Sequence, residues 1–225
     1  MSLVQLTLDL PHRAALGAED FLVSDCNRAA VKLIDAWPQW PDQVQLLIGP
    51  AASGKTHLAR VWQAISGAEA LSPDTLRMDF IDGMKAGTPL VIEDADRAAY
   101  EEKALFHLLN LARENRLFVL LTARSVPSRW RLSLPDLLSR LNASPAVEIG
   151  PPDETLIRTV MLKHFADRQL DIDPKVLTYL ALHVDRSLAA AAAAVAAVDR
   201  AALATGRKIS RQLVSEALAG TASRD

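Results

Sequence analysis

One cysteine, Cys26, is all that the 225 residues contain, which excludes an internal disulfide framework and a cysteine-built metal cluster. An excess of one charge is also lacking. The 25 Lys and Arg against 27 Asp and Glu leave a formal net charge of -2, which argues against bulk electrostatic attraction to nucleic acid and leaves only a local basic patch for it. No apolar run approaches the ~18 residues expected of a membrane helix. The N-terminus has no basic segment followed by an apolar stretch, the pattern of a signal peptide. A soluble, cytoplasmic protein is therefore expected, with no membrane partner. What is present is hydrophobic residues, half of the chain, enough at this length to bury a core in one or two domains.

The chain reads in three parts. Residues 1–13, MSLVQLTLDLPHR, form an extended tail whose Leu6, Leu8 and Leu10 alternate. Residues 14–150 then alternate short apolar runs with helical stretches. Helices are predicted over 25–36, 55–66 and 101–115, and strands over 43–48, 89–92 and 117–122, the last apolar throughout, as a strand covered on both faces should be. Strands alternating with helices indicate an α/β layered sheet. After Pro151-Pro152 the character changes. Residues 151–225 offer only helices, over 153–169, 174–183, 187–205 and 210–219, and the alanine run 189–197 reads as a tightly packed helix of high intrinsic propensity.

The chemistry concentrates after the first strand, at Gly49-Pro50-Ala51-Ala52-Ser53-Gly54-Lys55-Thr56. This fits G-x-x-x-x-G-K-[ST] between a predicted strand and a predicted helix, the context the motif requires. Gly49 and Gly54 permit backbone angles that turn successive N–H groups toward phosphate oxygens, and the helix N-terminus adds positive potential. Lys55 should reach the outer phosphates and Thr56 should ligate magnesium, with His57 next in the helix. Some forty residues on, Leu90-Val91-Ile92-Glu93-Asp94 ends a strand in carboxylates, with Asp96 close behind. Phosphoryl-transfer sites place one acid there for the metal and a second to orient water. Glu93 and Asp94 are thus candidate metal and catalytic residues, and a magnesium-bound purine nucleotide, ADP or ATP, is the expected ligand.

Together these parts resemble the AAA+ ATPases, and within them the initiator clade that contains the bacterial replication initiator DnaA and its short regulatory relatives. Further segments carry the resemblance in order. Phe21-Leu22-Val23 followed by Asn27 is similar to the clade's segment over the adenine ring. Thr122 ends the strand that leads into the sensor-one position. Pro135-Asp136-Leu137-Leu138-Ser139-Arg140-Leu141 is similar to the box whose arginine, here Arg140, is presented to a nucleotide in a neighbouring subunit. Val184-Asp185-Arg186-Ser187-Leu188 is similar to the sensor-two segment, whose arginine, here Arg186, touches the bound phosphates. The resemblance implies a P-loop NTPase core with a parallel five-stranded sheet flanked by helices, followed by a small all-α lid. Guanidinium suits these places because its planar, permanently charged fork matches phosphate. Two departures stand out. Glu93-Asp94 occupies a place where the clade tends to show Asp-Asp, and Thr122-Ala123-Arg124 lacks the usual Asn or Asp after the threonine. Both weaken the expectation of hydrolysis by the chain itself and leave binding intact.

Gln5-Leu6-Thr7-Leu8-Asp9-Leu10 resembles the peptide by which such relatives dock on the replicative sliding clamp, the β subunit of DNA polymerase III. Extended backbone would supply affinity there, and Gln5, Leu6, Leu8 and Leu10 the choice of partner. The implied role is regulatory: clamp-docked, the chain would present Arg140 to ATP held by DnaA, stimulate its hydrolysis and prevent over-initiation at the bacterial replisome. A loader that hydrolyses its own ATP and a non-catalytic, nucleotide-gated adaptor are the alternatives. About seventy residues follow the core, too few for a lid and a DNA reader, so sequence-specific DNA binding is not expected. Arg124, Arg129 and Arg131 form a small basic cluster that either touches clamp-bound DNA or is locally solvated. Contact between neighbouring AAA+ subunits, as a homo-dimer or higher oligomer, is implied by the finger-and-sensor layout.

Overall fold

Five successive residues, Val44–Ile48, are buried along strand β1, so both of its faces must be covered and both of its edges paired. In the computed structural model, which describes residues 21–222 apart from 73, 74, 83, 98, 99 and 116, they are. On one side β1 pairs in parallel with β4 (Phe118–Ala123) and on the other with β5 (Ala146–Glu148). Beyond β4 lie β3 (Pro89–Ile92) and β2 (Glu69–Leu71), giving a parallel five-stranded sheet in the order β2-β3-β4-β1-β5. The helices of this α/β layer are α1 (Arg28–Asp35), α2 (Lys55–Ser66), α3 (Met78–Asp82), α4 (Glu102–Asn115) and α5 (Pro135–Asn142). The clamp-docking candidates Gln5, Leu6, Leu8 and Leu10 lie outside the described residues.

The strand order sets where a ligand can sit. After β1 the chain crosses to the far edge, returns through β3 and β4, and only then reaches β5 on the other side of β1. Reversals of this kind open a crevice at the carboxyl ends of the strands. At the opposite end of β4, Phe118 meets Trp37 and Trp40, and both of these meet Trp62. Trp40 stacks on Trp62 at 4.8 Å, and Trp37 meets Phe118 edge-on at 6.1 Å.

Among the described residues one compact unit comprises Phe21 and Asp25–Gly150, and a second comprises Leu22–Ser24 with residues 151–222. The second is helical: α6 (Glu154–Asp167), α7 (Pro174–Leu182), α8 (Leu188–Thr205) and α9 (Arg211–Ala222). All four of its helix starts are capped, that of α9 by Ser210, which accepts from the Leu213 N–H at 3.3 Å. Asp153 accepts from the Leu156 N–H, Asp173 from the Lys175 N–H and Ser187 from the Ala190 N–H, each satisfying an amide that the helix leaves unpaired. The expectation that no run comes near membrane-spanning length needs correction. Helix α8 has 18 residues and a mean hydropathy of 1.5, long and apolar enough to cross a membrane; Asp199 and Arg200 interrupt its apolar run and hid this. Its stripe Ala191, Ala194, Val195 and Val198 is buried with Met161, Phe165, Leu180 and Val214 in the helical unit's own core.

Candidate phosphate-binding site

Where β1 ends, the Gly49 N–H donates to the Ala123 carbonyl of β4 at 3.0 Å, and the Ile149 N–H donates to the Ile48 carbonyl at 2.7 Å. The loop therefore leaves the sheet between its two neighbours, and the fit is tight. A Cβ on Gly49 would lie 2.8 Å from Ser53 Oγ and 3.1 Å from Ile149 Cβ. Gly54 ends the loop at φ 95° and begins α2, while Ala52 is also left-handed at φ 56°. Left-handed residues at 52 and 54 curl the backbone into the concave form that offers successive N–H groups to an anion. No side chain caps the α2 N-terminus at Gly54, so its first amides face the same space.

Lys55 is buried, and its Nζ donates to the Gly49 and Pro50 carbonyls at 2.7 and 2.8 Å. An ammonium carries three donors, so these two bonds aim the group and leave a third for a ligand. Burial pushes the Lys55 pKa below its ordinary value, and Asp94 opposes that shift. Next in the helix, the Thr56 hydroxyl donates to Glu93 Oε2 at 2.5 Å, joining the loop to the acidic turn after β3. That turn is built by Thr122. Its Oγ1 accepts from the Asp94 N–H at 3.0 Å and its carbonyl from the Ala95 N–H at 2.8 Å, while Asp94 itself takes φ 50°. Asp96 closes the arrangement, one carboxylate oxygen accepting from the Arg124 and Ser125 amides at 3.0 and 3.1 Å and from the Ser125 hydroxyl.

The result is a cavity of ≈ 270 Å³ lined by residues 51–56, Asp94 and Arg124. Ser53 Oγ, in this lining, is buried and has no hydrogen-bond partner among the described residues, a polar atom placed for a ligand. Among the described residues no three His, Cys, Asp or Glu side chains cluster as a metal cage. The donors present are hard oxygens, Thr56 Oγ1 beside Glu93, and these suit a magnesium that draws its remaining ligands from phosphate and water.

Other residues singled out from sequence fall as follows. Phe21 stacks on His57, ring centroids 5.0 Å apart at 13°, and its edge lies against Gly54. Asn27 is buried just before α1, and Leu22 belongs to the helical unit. Thr122 is buried, its hydroxyl engaged by the acidic turn. Arg140 lies in the last turn of α5, with its Cζ 6.0 Å from the Phe106 ring of α4. Arg186 is exposed immediately before the Ser187 cap of α8. Arg124, named from sequence in a small basic cluster, is exposed and also lines the cavity with Lys55. Its place at the end of β4, beside the acids that end β3, was the available signal.

The fold and this site define a P-loop nucleotide-binding module of the AAA+ kind. In sequence the chain is 30% identical over 195 residues to the chromosomal replication initiator protein DnaA of Enterococcus faecalis, covering 76% of this chain and 43% of that protein. It spans about half the length of the curated relatives it matches. In structure it is similar to domain III of Thermotoga maritima DnaA, with a TM-score of 0.70 at 19% identity, over 90% of this chain and 95% of that one. It is also similar to AMPPCP-bound DnaA from Aquifex aeolicus, with a TM-score of 0.64 at 18% identity, over 80% and 63%. No protein-family model matches the chain. Its fold is that of DnaA domain III.

Proposed function

We propose that this chain binds ATP or ADP with magnesium and regulates replication initiation as Hda, the regulatory inactivator of DnaA, does. Docked on the sliding clamp through Gln5, Leu6, Leu8 and Leu10, it presents Arg140 to ATP held by DnaA and stimulates hydrolysis there, at the replisome of a bacterial cell. The observation that carries the nucleotide reading is the joined cradle: left-handed residues at 52 and 54, Lys55 held in the loop, and Thr56 tied to Glu93. An adenine base is supported by the AMPPCP-bound DnaA of the same fold. Magnesium, when bound by Thr56 and Glu93, would neutralise phosphate charge. Arg140 supports the trans role, being partly exposed at a helix end and in no ion pair among the described residues. An arginine supplied in trans raises phosphoryl-transfer rates by about 10³–10⁵-fold.

The decisive assay follows hydrolysis of ATP pre-bound to DnaA, with DNA-loaded clamp and this chain present. Arg140→Ala and the Gln5/Leu6 double alanine should both lose most of the stimulation. Should both stimulate as wild type does, the regulatory reading is wrong. Rapid ATP turnover by the chain alone, abolished by Lys55→Ala, would instead establish the loader.

A further inference from the structure

We propose that the helical unit carries a binding face for single-stranded nucleic acid, built by α7 and α9 around Tyr179, His183 and Arg211. None of these residues belongs to the phosphate-binding site, and the inference stands independently of the nucleotide reading.

The period of α7 lays the face out. Lys175, Tyr179 and His183 are four residues apart, so they follow one another along one side of the helix. Lys175 and His183 are exposed and Tyr179 is half-buried. Helix α9 packs against α7 and brings Arg211, its first residue, over the same side. Arg211 Cζ lies 4.3 Å from the centre of the Tyr179 ring, and the Tyr179 and His183 rings are 4.0 Å apart, tilted by 36°. His183 Nδ1 donates to the Tyr179 carbonyl at 2.8 Å, which holds the imidazole beside the phenol.

These contacts leave binding capacity unused. Arg211 is exposed and in no ion pair among the described residues, and a guanidinium seated on a ring keeps its N–H edge for phosphate oxygens. Its placement also runs against the local field. A cation in the first turn of a helix meets the positive end of the dipole, and Lys208, exposed three residues earlier, adds to the repulsion. Arg207 is answered by Glu216, whereas Arg211 has no such acid, so a partner's anion would compensate it. The acids of this segment lie beyond the ends of α7. Asp171 and Asp173 precede it, with Asp173 occupied in the cap, and Asp185 follows it.

The rings choose the partner. An acidic polypeptide needs cations alone, and duplex DNA hides the faces of its bases in the stack. A single strand offers both features, phosphates for Lys175 and Arg211 and an unstacked base for the exposed His183. Every base has a π-face, so the contact reads no sequence.

The test is fluorescence anisotropy with the full chain, without nucleotide, over a range of salt. The probes are a labelled oligothymidylate, an oligouridylate of the same length, a duplex and a polyglutamate peptide. Both single strands should bind more tightly than the duplex, and the tighter of the two identifies DNA or RNA as the source. His183→Ala should weaken single-strand binding by about tenfold, the worth of one stacked base, and leave its salt dependence unchanged. Arg211→Ala should weaken binding and also reduce the slope of log Kd against log salt by about 0.7, one phosphate contact on a single strand. Arg211→Lys should keep the slope and lose part of the affinity. Wild type that binds no single strand, or binds the duplex equally well, overturns the proposal. So does wild-type affinity in both His183→Ala and Arg211→Ala, which would place any nucleic-acid contact elsewhere. Preference for polyglutamate would make the partner an acidic protein and overturn it too. Melting curves accompany each titration. If Arg211→Ala does not fold, the exposed His183 decides: the tenfold loss in His183→Ala supports the proposal, and unchanged affinity refutes it.

Discussion

Gly54 combines two demands that only glycine meets together. Its φ of 95° is costly for any side chain, and a Cβ there would sit 2.8 Å from Phe21 Cε2. Gly54→Ala should therefore lower stability by about 1–3 kcal/mol and abolish nucleotide binding. Adding Phe21→Ala should recover only the steric part, since backbone strain remains. Denaturant titration of the single and double variants separates the two terms, and full recovery in the double variant would show that strain contributes nothing. Thr122 makes a complementary case. It ends the strand that leads into the sensor-one position, and its hydroxyl is the acceptor for the Asp94 amide. Thr122→Val keeps the shape and orphans that N–H, which should cost about 1–3 kcal/mol and lower Tm by several degrees. Thr122→Ser should restore most of the loss. If valine melts with wild type, the acidic turn does not depend on this bond.

At the scale of elements, α4 organises the arginine-bearing helix. Glu102, its first residue, accepts from the Ser133 amide and hydroxyl and from the Leu134 amide just before α5, and Phe106, one turn later, lies beneath Arg140. The Ser133 amide bond is the largest cause holding the Glu102 carboxyl below its ordinary pKa. The sign follows: a depressed folded pKa stabilises above the ordinary carboxylate pKa, and that contribution is lost as pH falls through the folded value. Glu102→Gln should thus cost about 1 kcal/mol near neutral pH, the size of a lost helix cap, and the gap from wild type should close in acid. Urea titrations at pH 7 and below pH 4 check this, and a gap constant across that range would remove Glu102 from the account. Helix α5 itself shows what sequence periodicity could not reach. With eight residues and only Leu137 and Leu141 buried, it is too short to be marked by its own pattern, and such helices depend on tertiary packing. Likewise β2 and β5 have three residues each, exposed or half-exposed but for Leu71, so no apolar run announced them. The buried β1 and β4 were legible because burial on both faces leaves runs that are apolar but for Gln45 and Thr122. The phosphate loop was legible because its chemistry is local in sequence. The place of Arg124 in the site was not, since it arises only when β3 and β4 pair and bring residues 94 and 124 together.

Among the described residues one hydrophobic core lies around the sheet and α4 and another among α6 to α9, one in each unit, so calorimetry has two units to resolve. A ligand that binds only the native state stabilises what it binds. At about a hundred times Kd the gain is about 2.7 kcal/mol, or a shift on the order of 10 °C for a unit of this size. Magnesium with ADP or AMPPCP should therefore raise the transition of the α/β unit, and Lys55→Ala should abolish that rise. The helical unit gives the more informative signal. Its core shares no residue with the phosphate loop, so a nucleotide-dependent shift in its transition would report an effect beyond the loop itself. Arg186, exposed before α8, is the residue the initiator-clade resemblance assigns to this task. The helical transition of wild type should rise with AMPPCP, and that of Arg186→Ala should stay near its ligand-free temperature while the α/β transition still rises. A helical transition indifferent to nucleotide in wild type would reduce the ligand's influence to the α/β unit alone.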